Sequence, residues 1–488
     1  MSDMTIEEAL QLIEALRQEL ASSHHAIMEC TAIIERQKAE IAELKRRLNQ
    51  NSSNSSKPSS SDGLRKPKRK NRSLRKPSGK KPGGQPGHSG STMSLPHEPD
   101  TVLHCQPSKC LTCQNLGKCK QEVLETRYEI DLDIRQKVTA WKQMGSLCPF
   151  EGGQLLQGEF PEGIRATKQY GPMLRTIAVA LNTEGAVSIK KSRMILSALA
   201  GQNVSTGWVQ NVVSSCHDKL RDALKWIKSQ LRREECAHFD ETGIRVNGRI
   251  AWAHNASTEC LTLQTVDWSR GQEGISHAGI LPGWHGIAVH DFFSPYWKYD
   301  VQHAVCCAHL LRECKGQQEA HPDGVFFRLF PYLLMKMKMA KERWMERGKE
   351  EPERRRRKEF MLVYDRVIEL GEQEFPLPEP TPGKKGRPKR GAARSFIDRM
   401  KNHKEEVCRF FLDFRVPFDN NQAERDVRHF KVKLKVAGCF RTFEGAENFA
   451  ALQSFLGTAK KAGIDAIQAL KYMFTGQPLL ALTSGAGE

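Results

Sequence analysis

Apolar residues recur at every seventh position near the start of the chain: Ile6, Ile13, Leu20, Ile27, Ile34, Ile41 and Leu48. A repeat of that period and length predicts one helix with a coiled-coil seam, and self-association through it. The accompanying d positions, Ala9, Leu16, Ser23, Cys30, Gln37 and Leu44, are mixed. The zipper is therefore expected to be modest in stability, and β-branched residues at a suit two strands. From Asn51 to Thr92 the pattern stops, and Ser, Asn, Pro, Gly, Lys and Arg dominate. No period remains there that could bury a face, as expected of a linker.

Helical spacing returns over 167–235. SIKKSRMILSALAG followed by QNVSTGWVQNVVSSC reads as helix, glycine-containing turn and helix, with Ser205 or Thr206 as N-cap. That is the outline of a helix-turn-helix, and equally of a helical domain that touches no DNA. After Glu235 the period changes to two. CAHFDETGIRV and RIAWAHN flank Asn247 and Gly248, which favour a tight hairpin turn, and LTLQTV supplies a third strand. Alternation places Asp240 on one face with His238 and Thr242. A short apolar strand, GIAVHD, then ends in Asp291.

Length and charge narrow what these elements serve. At 488 residues the chain holds several domains. Its formal net charge of +18 points to a polyanionic partner, and 39% hydrophobic residues argue against a wholly disordered chain. Lys57 to Lys81 contains 11 basic residues against Asp62, so more than half of the net charge sits in the linker. Lys66, Lys68, Arg69 and Lys70 are its densest part, suited to phosphate backbones without any fold. The acidic start MSDMTIEEAL lacks signal-peptide regions, and no apolar run approaches membrane-spanning length, so a cytoplasmic location away from membranes is expected.

In such a compartment the 14 cysteines read as thiols or metal ligands. Cys105, Cys110, Cys113 and Cys119 follow C-x4-C-x2-C-x5-C and can wrap one structural Zn²⁺. Cys148 is a further candidate for that set, but the second knuckle reads CPFEGG, with Glu151 where a cysteine is wanted. A small domain of reduced cysteines without metal fits as well.

A third carboxylate, Glu424, follows Asp419, Asn420 and Asn421, which can open a helix through an Asx cap. If that helix continues, Arg428, Lys431 and Lys435 share its face with Glu424. Asp240, Asp291 and Glu424 brought together would repel one another unless cations neutralised them. Hard oxygen donors suit Mg²⁺ or Mn²⁺, and two such ions about 4 Å apart promote in-line displacement at a phosphodiester.

The order strand-borne Asp, strand-end Asp, helix-borne Glu after a three-stranded meander resembles the RNase H-like core of DDE transposases. More narrowly, SSKPSSSDG and KKPGGQPGH in the linker, HFDETG, VHDFFSPYW, HAVCCAHLLREC and VPFDNNQAERDVRHFKVKLKVAGCFRTFEGAENFA resemble the insertion sequence 66 family of bacterial transposases over nearly the whole chain. The resemblance implies that Asp240, Asp291 and Glu424 are a metal-binding catalytic triad, and that a helical insertion separates the second acid from the third. Cys306 and His309 match the family's Cys-x2-His signature without a defined role. Arg425, Arg428, Lys431 and Lys433 are candidates for phosphate contacts, and Gly386, Arg387 and Pro388 in a basic loop read as a solvated turn or as a minor-groove hook.

The fold expected is multidomain α+β. It comprises a coiled coil over 1–50, a basic linker over 51–92, a zinc-finger-like cysteine domain over 93–165 and a helical region over 166–235. An RNase H-like core begins over 236–314, carries the helical insertion at 315–415, and ends with the catalytic helix and a C-terminal helical region over 416–488. The resemblance implies an enzyme that binds the terminal inverted repeats of its own element, cleaves there and joins the ends to target DNA. Homodimers or higher oligomers, and accessory proteins of the same element, are its expected partners. The rival reading is a DNA-binding protein without catalysis, a repressor or architectural factor, which would need no spaced carboxylates. A nuclease of the same fold that cuts without joining lies nearer.

Overall fold

The computed structural model describes residues 6–49, 95, 97–105, 118–119, 122–132, 134–148, 154–378 and 390–483. The basic residues Lys66, Lys68, Arg69 and Lys70, the cysteines Cys110 and Cys113, and the Gly386–Pro388 hook lie outside them. Residues 66–166 form one compact unit, and 1–65 with 167–488 form the other.

Helix α1 spans Ile6–Asn49, 44 residues, as the seven-residue repeat predicts. Its seam positions Leu20, Ile27, Ile34, Ile41 and Leu48 are all exposed. In the smaller unit, β1 (Gly145–Cys148) and β2 (Gln154–Gln157) pair antiparallel. Cys105 and Cys119 are free and exposed there.

The larger unit begins with α2 (Pro172–Thr183), α3 (Ile189–Ala200), α4 (Thr206–Ser214) and α5 (Cys216–Leu231). Of the two candidate caps, Ser205 is the one used: its side chain accepts the Trp208 N–H at 3.1 Å. Gly201 ends α3 with φ 57°, a left-handed backbone that glycine adopts without a Cβ penalty. These helices are not a separate module. Leu196, Val209, Leu220, Ile227 and Leu231 share one core with Phe239 of the sheet and Leu452 and Phe455 near the C-terminus.

The sheet has five strands in the order β5-β4-β3-β6-β7: β3 (Cys236–Val246), β4 (Arg249–Ser257), β5 (Thr262–Asp267), β6 (Ile287–His290) and β7 (Gln302–Val305). The first three form the antiparallel meander read from the alternation. Asn247 and Gly248 make its first turn with φ 45° and 80°. Strands β6 and β7 run parallel to β3, with α6 (Gln272–Ala278) between β5 and β6.

After β7 come α7 (Cys307–Ala320), α8 (Phe326–Met345), α9 (Arg354–Glu374), α10 (Ala392–Asn402) and α11 (Lys404–Leu412). They build a second core around Phe326, Phe330, Tyr364 and Phe396, which reaches the sheet at Ile287 and Val289. The chain closes with α12 (Asn421–Asp426), α13 (Arg428–Ala437), α14 (Phe443–Lys461), α15 (Ala466–Phe474) and α16 (Leu480–Thr483). A third core joins Ile244 and Ala253 to Phe430, Phe440 and Phe449. With aliphatic and aromatic side chains packed on both faces, the sheet is a rigid platform for whatever its strand ends carry. Among the described residues no helix is long and apolar enough to cross a membrane.

Candidate active site

Asp240 and Asp291 meet because β3 and β6 are adjacent and parallel. His238 pairs with Val289, so two residues further on Asp240 stands level with Asp291, just beyond the end of β6. Each carboxylate is fixed by the main chain: Asp240 Oδ1 accepts the Glu241 N–H and Asp291 Oδ1 the Phe293 N–H, both at 2.9 Å.

Glu424 arrives from the other side. The segment before it is anchored by the buried Lys341, whose Nζ donates to the Val416 carbonyl at 2.6 Å, and by Cys307, whose N–H donates to that of Phe418. Asn420, only 1% exposed, then clasps β3: its Nδ2 donates to the Phe239 carbonyl at 2.7 Å, and its Oδ1 faces His238 Nδ1 at 2.7 Å. Asp419 Oδ1 accepts the Asn421 N–H, the Asx turn that starts α12. Behind Glu424, Asp426 pairs with Lys461 of α14 at 3.0 Å, and its carbonyl accepts from Gln264 of β5. The helix that carries Glu424 is thus tied to both sheet and core.

The electrostatics are those of crowded anions. Burial, then the negative charges of Glu241, Asp291 and Glu424, push the Asp240 carboxyl well above its ordinary range. Asp291 is also raised, by burial and then Glu241, while His309 and Arg270 pull it down. The Arg312 guanidinium partly offsets the field: its Nη2 lies 3.1 Å from Glu424 Oε1, and His309 Nε2, on a ring that burial and then Arg312 push toward the neutral form, lies 3.5 Å away, both from α7. Carboxylate oxygens such as those of Asp240, Asp291 and Glu424 are the donor type that hard divalent cations take.

The four cations singled out near Glu424 separate. The regular helical hydrogen bonding is interrupted at Val427, which separates α12 from α13 while keeping a right-handed helical backbone. Arg425 and Arg428 are exposed. Lys431 reaches toward β3, its Nζ donating to the Gly243 carbonyl at 3.1 Å, and it feels the charge of Asp240. Lys433 turns away: its ammonium is bound by the carbonyl and side-chain oxygens of Asn182, and burial lowers its pKa to about 8. Those bonds hold α13 to α2 and point the ammonium away from Glu424.

Several contributors are not legible by spacing. Glu241, adjacent to Asp240, has a side chain only 2% exposed, held by Arg270 Nη2 at 2.8 Å and by the Tyr296 hydroxyl at 2.8 Å. Arg270 in turn lies 4.0 Å from the Phe293 ring centroid and 4.8 Å from that of Trp252. Alternation sends Glu241 to the opposite face from Asp240, and nothing local announces its distant partners. Arg312 had a signal in principle, since it follows His309 by three residues on one helix face.

An acidic site at one end of a mixed, five-stranded sheet, bordered by arginine and lysine, defines an α+β protein built to handle a charged ligand. The sequence comparison is more specific. The family model described as Transposase IS66 family matches residues 168–448, from just before α2 into the first turns of α14, and the chain belongs to that family. Residues 1–94 match a second model, described as a family of unknown function (DUF6444). Among curated proteins none matches.

Proposed function

We propose that this transposase is of the DDE type, that its five-stranded sheet is an RNase H-like core, and that Asp240, Asp291 and Glu424 are its catalytic residues. The observation that carries the reading is the level pairing of Asp240 and Asp291 on adjacent parallel strands, with Glu424 near enough for its charge to raise Asp240. Asp240 and Asp291 would share two Mg²⁺ or Mn²⁺ ions, and Glu424 would hold one of them. The chemistry such ions would supply is activation of a water or a 3′-hydroxyl and stabilisation of the leaving oxygen of the phosphodiester.

The protein supplies position and charge. Glu241, clamped by Arg270 and Tyr296, keeps the middle of β3 fixed while adding to the field that recruits cations. Arg312 and His309 hold Glu424 in the absence of metal. Arg425 and Arg428, exposed beside the site, and Lys431 would contact the DNA backbone. Lys66, Lys68, Arg69 and Lys70 would add a sequence-independent grip. Cys105, Cys110, Cys113 and Cys119 would form a structural zinc site, α3 and α4 a helix-turn-helix that reads the terminal repeats, and α1 would pair subunits so that two ends are held together. Action in the bacterial cytoplasm, with accessory proteins of the same element, completes the reading.

The test is to incubate purified protein with labelled element-end DNA and Mg²⁺, beside Asp240→Ala and Glu424→Ala. We expect cleaved and joined products from the wild type only, with end binding retained in both variants. Equal inertness with equal binding would instead favour the non-catalytic DNA-binding reading.

A further inference from the structure

Cys306 and His309 lie far from Glu424 in sequence, yet the three offer one donor atom each, all within 4.8 Å of one another. Thiol, imidazole and carboxylate together are a mixed donor set of the kind that selects Zn²⁺ and its neighbours, and a poor one for Mg²⁺. Cys306 is fully buried at the start of α7, and its sulfur accepts the Asn420 N–H at 3.1 Å. Burial pushes its thiol up to about 12, against the backbone N–H groups of Asn420 and His309. His309 presents Nε2 to Glu424, while its Nδ1 is buried with no hydrogen-bond partner among the described residues. Three protein donors with a fourth position left for water match the composition of open zinc sites.

We propose that Cys306, His309 and Glu424 bind a Zn²⁺-class ion, and that this ion draws Glu424 away from Asp240 and Asp291. Binding releases the Cys306 proton to solvent, and the resulting thiolate with the Glu424 carboxylate neutralises the two positive charges. The ion competes with Arg312 for the Glu424 carboxylate, and Arg312, with a side chain 27% exposed, has a path outward to solvent. Ion binding rests on the donor cluster alone. Only the competition rests on the reading of Glu424 as a ligand of the catalytic cations.

Co²⁺ is the probe, because thiolate-to-cobalt charge transfer gives a near-ultraviolet band independent of activity. The host is the full chain with Cys105, Cys110, Cys113 and Cys119 changed to serine, which removes the other candidate thiolate site. We expect the band to appear at one equivalent, to persist in Asp240→Asn, and to vanish in Cys306→Ser and in His309→Gln. Circular dichroism checks folding; should Cys306→Ser not fold, His309→Gln at its partly exposed position decides. No band in the serine host, or a band that survives loss of His309, overturns the site. Bound Mn²⁺ is then followed by electron paramagnetic resonance, and one equivalent of Zn²⁺ should weaken it roughly tenfold. A cobalt band with Mn²⁺ binding unchanged overturns the competition and places the error in the role given to Glu424.

Discussion

Asp240 is where opposing demands on one side chain are sharpest. Its folded pKa lies above the unfolded value, so over the window between them the folded protein keeps a proton that the unfolded chain has lost. Stability contributed by that proton is present at lower pH and is lost as pH rises through the folded value. The ionised carboxylate at neutral pH is therefore a cost that bound cations relieve. Asp240→Asn should raise the melting temperature in chelator, by roughly 1 °C per kcal/mol recovered, and should abolish most of the further rise on adding Mg²⁺. Thermal unfolding at pH 5 and pH 8 checks this: the advantage of the variant should shrink at the lower pH, where wild-type Asp240 is closer to neutral. At this scale the strand positions of Asp240 and Asp291 were legible from local alternation, while their grouping with Glu424 was expected only through the family resemblance. The clamp on Glu241 was not, since Arg270 and Tyr296 reach it only through the folded chain.

Between elements, the junction of β3 with α12 matters most, and Asn420 makes it. Asn420→Ala strips the Phe239 carbonyl and His238 Nδ1 of their buried partner, at a cost of about 1–3 kcal/mol. We expect a lower melting temperature and a loss of joined product larger than any loss of DNA binding, measured on the same preparation. Unchanged joining would mean that Glu424 is placed by α7 and α14 instead. The meander, its Asn247–Gly248 turn and the Ser205 cap followed from local chemistry, which is why the pattern of residues revealed them. The interruption at Val427 and the diversion of Lys433 to Asn182 did not. Both arise where α13 packs by Phe430 against the sheet, and helical spacing carries no information about that core.

At the scale of the whole molecule, the proposed function gives the excess of positive charge and the seven-residue repeat one task, bringing two DNA ends to one pair of sites. Deleting residues 1–49 should lower the sedimenting mass to roughly that of one chain and reduce paired-end products while single-end binding persists; an unchanged mass would assign self-association to another surface. The level pairing of Asp240 and Asp291 on parallel strands could be expected only through the family resemblance, because the intervening helix α6 hides the strand order from any local pattern. The claim on which all of this depends is that Asp240, Asp291 and Glu424 form one cation site over the DNA. It is tested most directly by anomalous diffraction from crystals of the protein with element-end DNA and Mn²⁺. We expect two peaks about 4 Å apart, bounded by these three carboxylates and touching the scissile phosphate. Mn²⁺ bound elsewhere, with Glu424 still paired only to Arg312 and His309, would contradict it.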